Sequence, residues 1–231
     1  MKLSERLIAI ANFVPNNSIV ADIGTDHGYI PAYLIENKIS KKVIGTDISK
    51  GSLDKIIEYI KELRFEDKID TRLGDGLEVI KPYEVDTVII AGMGGLLIRD
   101  ILENHRKVSD SIIDFILQPM VAQKEVREYL IENNFEIIGE ELVKEENKYY
   151  EIIHARKEKS LIEKEVYYEI SPILIQNKHP LLKEFVDNKI ATANKILKEI
   201  EGLQTEKSKE RHLELTNAVK EYREVLGEIE S

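Results

Sequence analysis

Over the first two thirds of the chain, short apolar runs alternate with segments in which apolar residues recur every three to four positions. The runs at 18–23 (SIVADI), 42–47 (KVIGTD), 69–73 (IDTRL), 85–91 (VDTVIIA) and 112–118 (IIDFILQ) are short, rich in β-branched residues and closed by Gly, Asp or Pro, so each predicts a strand. Between the second and third lies SLDKIIEYIKELRF, whose Leu53, Ile56, Ile57, Ile60 and Leu63 share one face of a helix. Repetition of strand and helix predicts an open, doubly wound parallel sheet. Two further runs, FEIIGEELV and YYEIIHA, are separated only by KEENK. A parallel crossover needs about a dozen residues or more, so this pair predicts an antiparallel hairpin. The expected α/β fold is a seven-stranded, mostly parallel Rossmann-like sheet with one antiparallel strand.

The pattern changes after about residue 157. LLKEFVDNKIATANKILKEIEGL carries Leu182, Phe185, Ile190, Ala193, Leu197 and Ile200 in a near-heptad stripe, and Gly202 offers a helix end. SKERHLELTNAVKEYREVLGEIES repeats the stripe with Leu215, Val219, Tyr222, Leu226 and Ile229. Two such helices joined by a short break predict an antiparallel α-helical coiled-coil hairpin. The stretch 158–180, with element-stopping prolines in SPILI and KHP, reads as a junction, which gives an expected division into 1–157 and 158–231.

Composition narrows the function classes. With 231 residues, 42% of them apolar, the chain can bury a sizeable core. No run approaches the ~18–20 apolar residues of a membrane span, and MKLSERLIAI mixes charges without a cleavage site, so a cytoplasmic protein with no membrane partner is expected. There is no cysteine and the five histidines are scattered, which argues against a metal site. The net charge of -10 argues against a nonspecific coat on nucleic acid, though not against a specific one. Residues 1–155 hold 19 basic and 28 acidic side chains, residues 156–231 hold 14 and 15, so any attraction for phosphates is expected on the C-terminal part.

Candidate chemistry gathers at the predicted strand ends, where open parallel sheets bind ligands. VADIGTDHGYIP joins a strand to a helix through Asp22-x-Gly24-x-x-x-Gly28 and places Asp26 where a pyrophosphate-binding turn would carry a glycine. A carboxylate repels pyrophosphate, whereas S-adenosylmethionine has no phosphate and carries a cationic sulfonium and amino group. The alternative is that Asp26 only caps the following helix. Asp47, in GTDIS, sits about 20 residues beyond the glycines, where an acid accepts from ribose hydroxyls of either NAD or S-adenosylmethionine. Asp75 and Gly76, in LGDGLEVI, could meet an adenine amino group and clear room for its ring, or form a plain Asp-Gly turn. AGMGG, Ala91 to Gly95, reads as glycines that let a donor or bulky substrate approach the backbone. The Asn/Asp-Pro-Pro-Tyr stretch of many amino-group methylases is absent there.

A parallel sheet ended by an antiparallel hairpin is the layout of class I methyltransferases. LSERL, VADIGTDHGYIP, GTDIS, GDGL, IAGMGG, LQP and KYYEII, in this order, resemble the TrmK family of bacterial tRNA (adenine-N1)-methyltransferases, which act at tRNA position 22. The resemblance spans essentially the whole chain. It implies S-adenosylmethionine as cofactor, tRNA as partner and a helical appendage that helps to hold the RNA. Matched motif by motif, the cofactor set is Asp22, Gly24, Asp26, His27, Gly28, Tyr29, Asp47, Ile48, Asp75, Gly76, Gly92 and Met93.

Methylation at N1 leaves adenine cationic, which a nearby carboxylate would stabilise, and Asp26 is the candidate catalytic residue. His27 either joins it or points into the helix, and Tyr29 is a candidate aromatic wall. For the substrate, Tyr149 and Tyr150 start the last strand and point to opposite faces, so at most one stacks on a base. Gln118 and Pro119 could offer amide contacts at the end of the fifth strand. Arg6 is a candidate phosphate or donor-carboxylate contact, or else a surface ion pair. A monomer or weak dimer is expected. An NAD-linked oxidoreductase and a noncatalytic coiled-coil protein remain the competing readings, the first opposed by Asp26 and by the hairpin.

Overall fold

The computed structural model describes residues 3–230. The strands are β1 (Ser18–Ile23), β2 (Ser40–Asp47), β3 (Ile69–Leu73), β4 (Thr87–Met93), β5 (Asp114–Pro119), β6 (Glu136–Glu145) and β7 (Lys148–Arg156). They form one sheet in the order β3-β2-β1-β4-β5-β7-β6. Pairing is parallel from β3 through β5, and β7 lies antiparallel to both β5 and β6. The chain therefore reverses direction of growth between β1 and β4, and a crevice opens there at the carboxyl edge.

Helices cover both faces because the central strands are apolar on both. Ile89 and Ile116 pack with Val20, Val43 and Ile152 against α1 (Glu5–Asn12), α2 (Tyr29–Glu36) and α3 (Lys50–Leu63). Val88, Ile90, Phe115 and Leu117 face the other way, onto Ile98 and Leu102 of α4 (Gly95–Asn104) and Leu130 of α6 (Gln123–Glu132). A one-turn helix, α5 (Arg106–Ser109), links α4 to β5. Ser4 and Ser49 cap α1 and α3 by accepting from Leu7 N–H and Ser52 N–H. Strand β4 starts two residues later than its apolar run. Asp86 belongs to the preceding loop, where its carboxylate accepts from Ile19 N–H at 3.1 Å.

The chain divides into two compact units between Leu161 and Ile162. The second unit contains a 3-10 turn (Glu165–Tyr168), α7 (Pro172–Gln176), α8 (Leu182–Ile200) and α9 (Glu206–Glu230). Pro172 starts α7 instead of stopping an element: it occupies the first turn, where its missing N–H costs nothing, behind the Ser171 cap. Ala193, Leu215 and Val219 are buried between α8 and α9, with Ile190, Ile196, Leu197 and Ile200 packed against them. Near the end of α9 the buried residue is Val225, and Leu226 is only half-buried. Lys183 at the start of α8 pairs with Glu230 at the end of α9, so the two helices run antiparallel.

Candidate active site

The crevice holds a cavity of about 650 Å³, within the range of small-molecule sites. Its lining comes from the segments after β1, β2, β3, β4 and β5 and from α1, α2 and α4. Asp22, Gly24, Asp26, His27, Tyr29, Asp47, Ile48, Asp75, Gly76, Gly92, Met93 and Arg6 all line it. Gly28 does not: its φ of 70° places it as the left-handed residue that begins α2, without a side-chain cap. Asp26 therefore does not cap that helix. It is exposed, and its carboxylate meets His27 Nδ1 at 2.9 Å. His27 stacks on Tyr29 with ring centroids 5.2 Å apart, and Tyr59 meets Tyr29 edge-on. The acid is thus held on a small aromatic platform at the cavity wall.

Asp22 is buried at the cavity floor, and burial pushes its carboxyl up to about 6. The Thr25 hydroxyl is near enough to oppose that shift in part, but not in hydrogen-bond geometry. Thr25 Oγ1 and Thr46 Oγ1 both lie buried in the cavity lining without a partner. Asp47 Oδ1 accepts from Ser49 N–H at 2.7 Å, which fixes the carboxylate and leaves Oδ2 for a ligand. A buried carboxylate and three further acids suit a cationic, hydroxyl-rich molecule and oppose a phosphate.

The substrate candidates are dispersed. Gln118 is fully buried and its amide is already engaged. Its Oε1 accepts from Arg6 Nη1 at 2.6 Å and from Gly92 N–H at 3.2 Å, and its Nε2 donates to the Pro119 carbonyl at 3.0 Å. Gln118 and Pro119 lie outside the lining, so neither offers an amide to a base. Their part is to hold Arg6, whose guanidinium also lies 5.2 Å from the Tyr150 ring. Among the described residues no carboxylate pairs with that guanidinium, so Arg6 is not a surface ion pair. Tyr149 faces the opposite side of the sheet, 5.4 Å from Lys144 Nζ, and neither tyrosine lines the cavity.

The AGMGG glycines serve mainly the protein itself. Only Gly92 lines the cavity; a Cβ on Gly95 would collide with the Ala122 carbonyl, which fixes α4 against the turn after β5. Lining residues missed in the sequence include Thr25, Thr46, Leu97, Ile101 and Met120. Both threonines sit inside quoted motifs, but nothing in those motifs tells that their hydroxyls would be buried unpaired.

Sheet order, terminal hairpin and crevice together define a class I, Rossmann-like methyltransferase. The methyltransferase domain family matches residues 3–153. The tRNA (adenine(22)-N(1))-methyltransferase of Bacillus subtilis (strain 168) is 30% identical over 236 residues, covering 98% of each chain. Among solved structures, the B. subtilis M1A22 tRNA methyltransferase TrmK is similar with a TM-score of 0.89 and 31% identity, over 97% of this chain and 99% of that one. M. capricolum TrmK in complex with S-adenosyl-homocysteine gives 0.85 and 30%, over 99% and 100%. The chain belongs to the tRNA (adenine(22)-N1)-methyltransferase family.

Proposed function

We propose that this protein transfers a methyl group from S-adenosylmethionine to N1 of adenine 22 in tRNA, in the cytoplasm. The observation that carries the reading is the acidic, phosphate-averse cavity at the switch point of a methyltransferase sheet. Membership of the family supplies the substrate. Bound there, the donor would supply a sulfonium-activated methyl group, to which the in-plane lone pair of adenine N1 forms a bond as the carbon–sulfur bond breaks. The protein's own work is positional and electrostatic. Asp47 accepts from ribose hydroxyls through its free oxygen. Asp22 receives a cationic group. Asp75 and Gly76 border the nucleobase, with Ile48 against its face. Arg6 meets an anionic group, the donor carboxylate or a phosphate. Asp26 stabilises the positive charge on the methylated base and can accept the proton later lost from its exocyclic amine. The decisive experiment is mass spectrometry of nucleosides from tRNA incubated with labelled donor. N1-methyladenosine should appear, and should vanish when adenine 22 is replaced by another base.

Asp26→Asn is expected to keep the fold and most of the donor affinity while slowing single-turnover methylation at least about tenfold, or ~1.4 kcal/mol of barrier. A rapid-quench time course measures it, and an unchanged rate would remove Asp26 from the chemistry.

Asp22 predicts a pH dependence. Its carboxyl is raised in the free folded protein, from 3.8 to about 6, so the fold holds a proton there that the unfolded chain has already lost. This group therefore destabilises the free protein progressively as pH rises through that window. A cation beside it requires the ionised form, so below about pH 6 donor binding must release a proton. Calorimetry should show affinity rising between pH 5 and 6 by up to about tenfold, then levelling, with buffer-dependent heats only on the acid side. Asp22→Asn should flatten the profile.

A further inference from the structure

The cavity has two chemically different ends. Sheet order puts Asp47 and Asp75 beyond one side of the β1 turn, after β2 and β3, and puts the β4 and β5 turns on the other side. At the β4–β5 end the lining carries the apolar side chains of Met93, Leu97 and Met120, beside the Arg6 guanidinium that Gln118 holds. Two backbone hydrogen bonds join these turns: Met120 N–H donates to the Met93 carbonyl at 2.8 Å and Gly95 N–H to the Val121 carbonyl at 2.9 Å. Four large apolar side chains stand on this joined edge with much of their surface in water: Leu96 (48%), Leu97 (49%), Met120 (41%) and Val121 (63%). Isolated exposed apolar residues need no explanation, but four gathered at the rim of a binding cavity mark a contact surface.

We propose that Leu97 and Met120 form the apolar jaw that receives the target adenine, and that Leu96 and Val121 beside them carry the neighbouring base of the locally opened RNA. The inference rests on the methylation reading above and identifies how that site takes its substrate. The acid-lined end suits the hydroxyl-rich donor, which leaves the apolar end for a flat purine face. Residues 1–155 are acidic as a whole and give RNA no general attraction, a penalty that a neutral stacked base does not meet. A base must leave its stack to enter such a cavity, and apolar side chains replace the lost stacking partners whatever the neighbouring sequence. Met120 is prepared for the role: it lines the cavity, and Gln118 Nε2 donates to its sulfur at 3.6 Å. In this arrangement Gln118 is a positioning residue for both Arg6 and Met120.

The test uses the full-length protein and tRNA, with steady-state kinetics, calorimetry for the donor and sedimentation velocity. Leu97→Ala with Met120→Ala should lower kcat/KM for tRNA at least tenfold while donor affinity stays within twofold. Val121→Glu, at an exposed position where folding is not at risk, should also lower kcat/KM several-fold, and Val121→Phe should keep or raise it. Unchanged kcat/KM in the double variant would overturn the proposal. A loss of donor affinity as large as the loss in kcat/KM would overturn it too, by assigning these side chains to the donor. Conversion of a wild-type dimer to a monomer by Val121→Glu, with normal kcat/KM, would assign the patch to a second copy of the chain instead. Failure of the methylation reading itself is distinguishable, since the wild-type protein would then leave adenine 22 unmodified before any variant is compared.

Discussion

Arg127→Ala is expected to cost about 3–5 kcal/mol of stability, the range for breaking a buried ion pair by removing one partner. Arg127, on α6, is 1% exposed and bridges Glu140 of β6 and Glu151 of β7. Its Nε and Nη2 donate to Glu140 Oε1 at 2.9 and 2.7 Å, and Nη2 also donates to Glu151 Oε2 at 2.7 Å. Burial works against the guanidinium charge, but the fields of the two carboxylates outweigh it and keep Arg127 charged. Removing it leaves two buried carboxylates facing each other, and Glu140 Oε2 is without a partner even in the intact network. Urea denaturation at pH 7.5 measures the effect. A variant as stable as the wild type at pH 7.5 would mean that water reaches the triad. Arg127→Met, which keeps much of the volume, should remain destabilised, separating the charge effect from the cavity.

That triad also marks a limit of sequence reading. Arg127, Glu140 and Glu151 lie in segments whose local patterns read as an ordinary amphipathic helix and two half-exposed strands. Only the pairing of β6 with β7, and the docking of α6 on that face, brings the three charges together. The strands themselves were legible, because a doubly wound sheet is buried on both faces and its members must be short β-branched runs. The hairpin followed from the length of KEENK alone. The acids at the strand ends were legible for a topological reason: in a parallel sheet every carboxyl end faces the same crevice, so Asp26, Asp47 and Asp75 had to converge there. Side-chain commitments within the crevice were not legible. Gln118 follows the apolar run of β5 and reads as a free amide at the edge, yet Arg6, 112 positions away in the chain, has already taken it. Gly95 reads as room for a ligand, and its neighbour is the protein's own Ala122 carbonyl.

A chain ending after Leu161 is expected to fold, to bind S-adenosylmethionine and to lose at least about tenfold in tRNA affinity, with a shallower salt dependence because fewer counterions are released. The sheet unit closes by that residue, and its own acidic balance repels RNA, so attraction must come from elsewhere. Residues 162–231 hold 11 basic and 14 acidic side chains, so net charge supplies no attraction and the placement of the cations is decisive. Of the four lysines on α8, Lys183 is held by Glu230 and Lys189 by Glu169, with Lys189 also packed over Phe185. Those two positive charges are largely cancelled within the hairpin. Lys195 and Lys198 are exposed on α8 and, among the described residues, no carboxylate pairs with them; Arg223 is exposed on α9. If these are the phosphate contacts, Lys195→Glu with Lys198→Glu in the full-length chain should reproduce much of the loss caused by truncation. The slope of log affinity against log salt should then fall by about 0.7–0.9 for each contact removed. Lys183→Gln and Lys189→Gln should instead act on the stability of the helical pair and leave that slope alone. Filter binding across a salt series separates the outcomes. A truncated protein with unchanged tRNA affinity and slope would assign the hairpin to packing or self-association through its buried stripe, and would leave the Arg6 side of the cavity as the source of attraction for RNA.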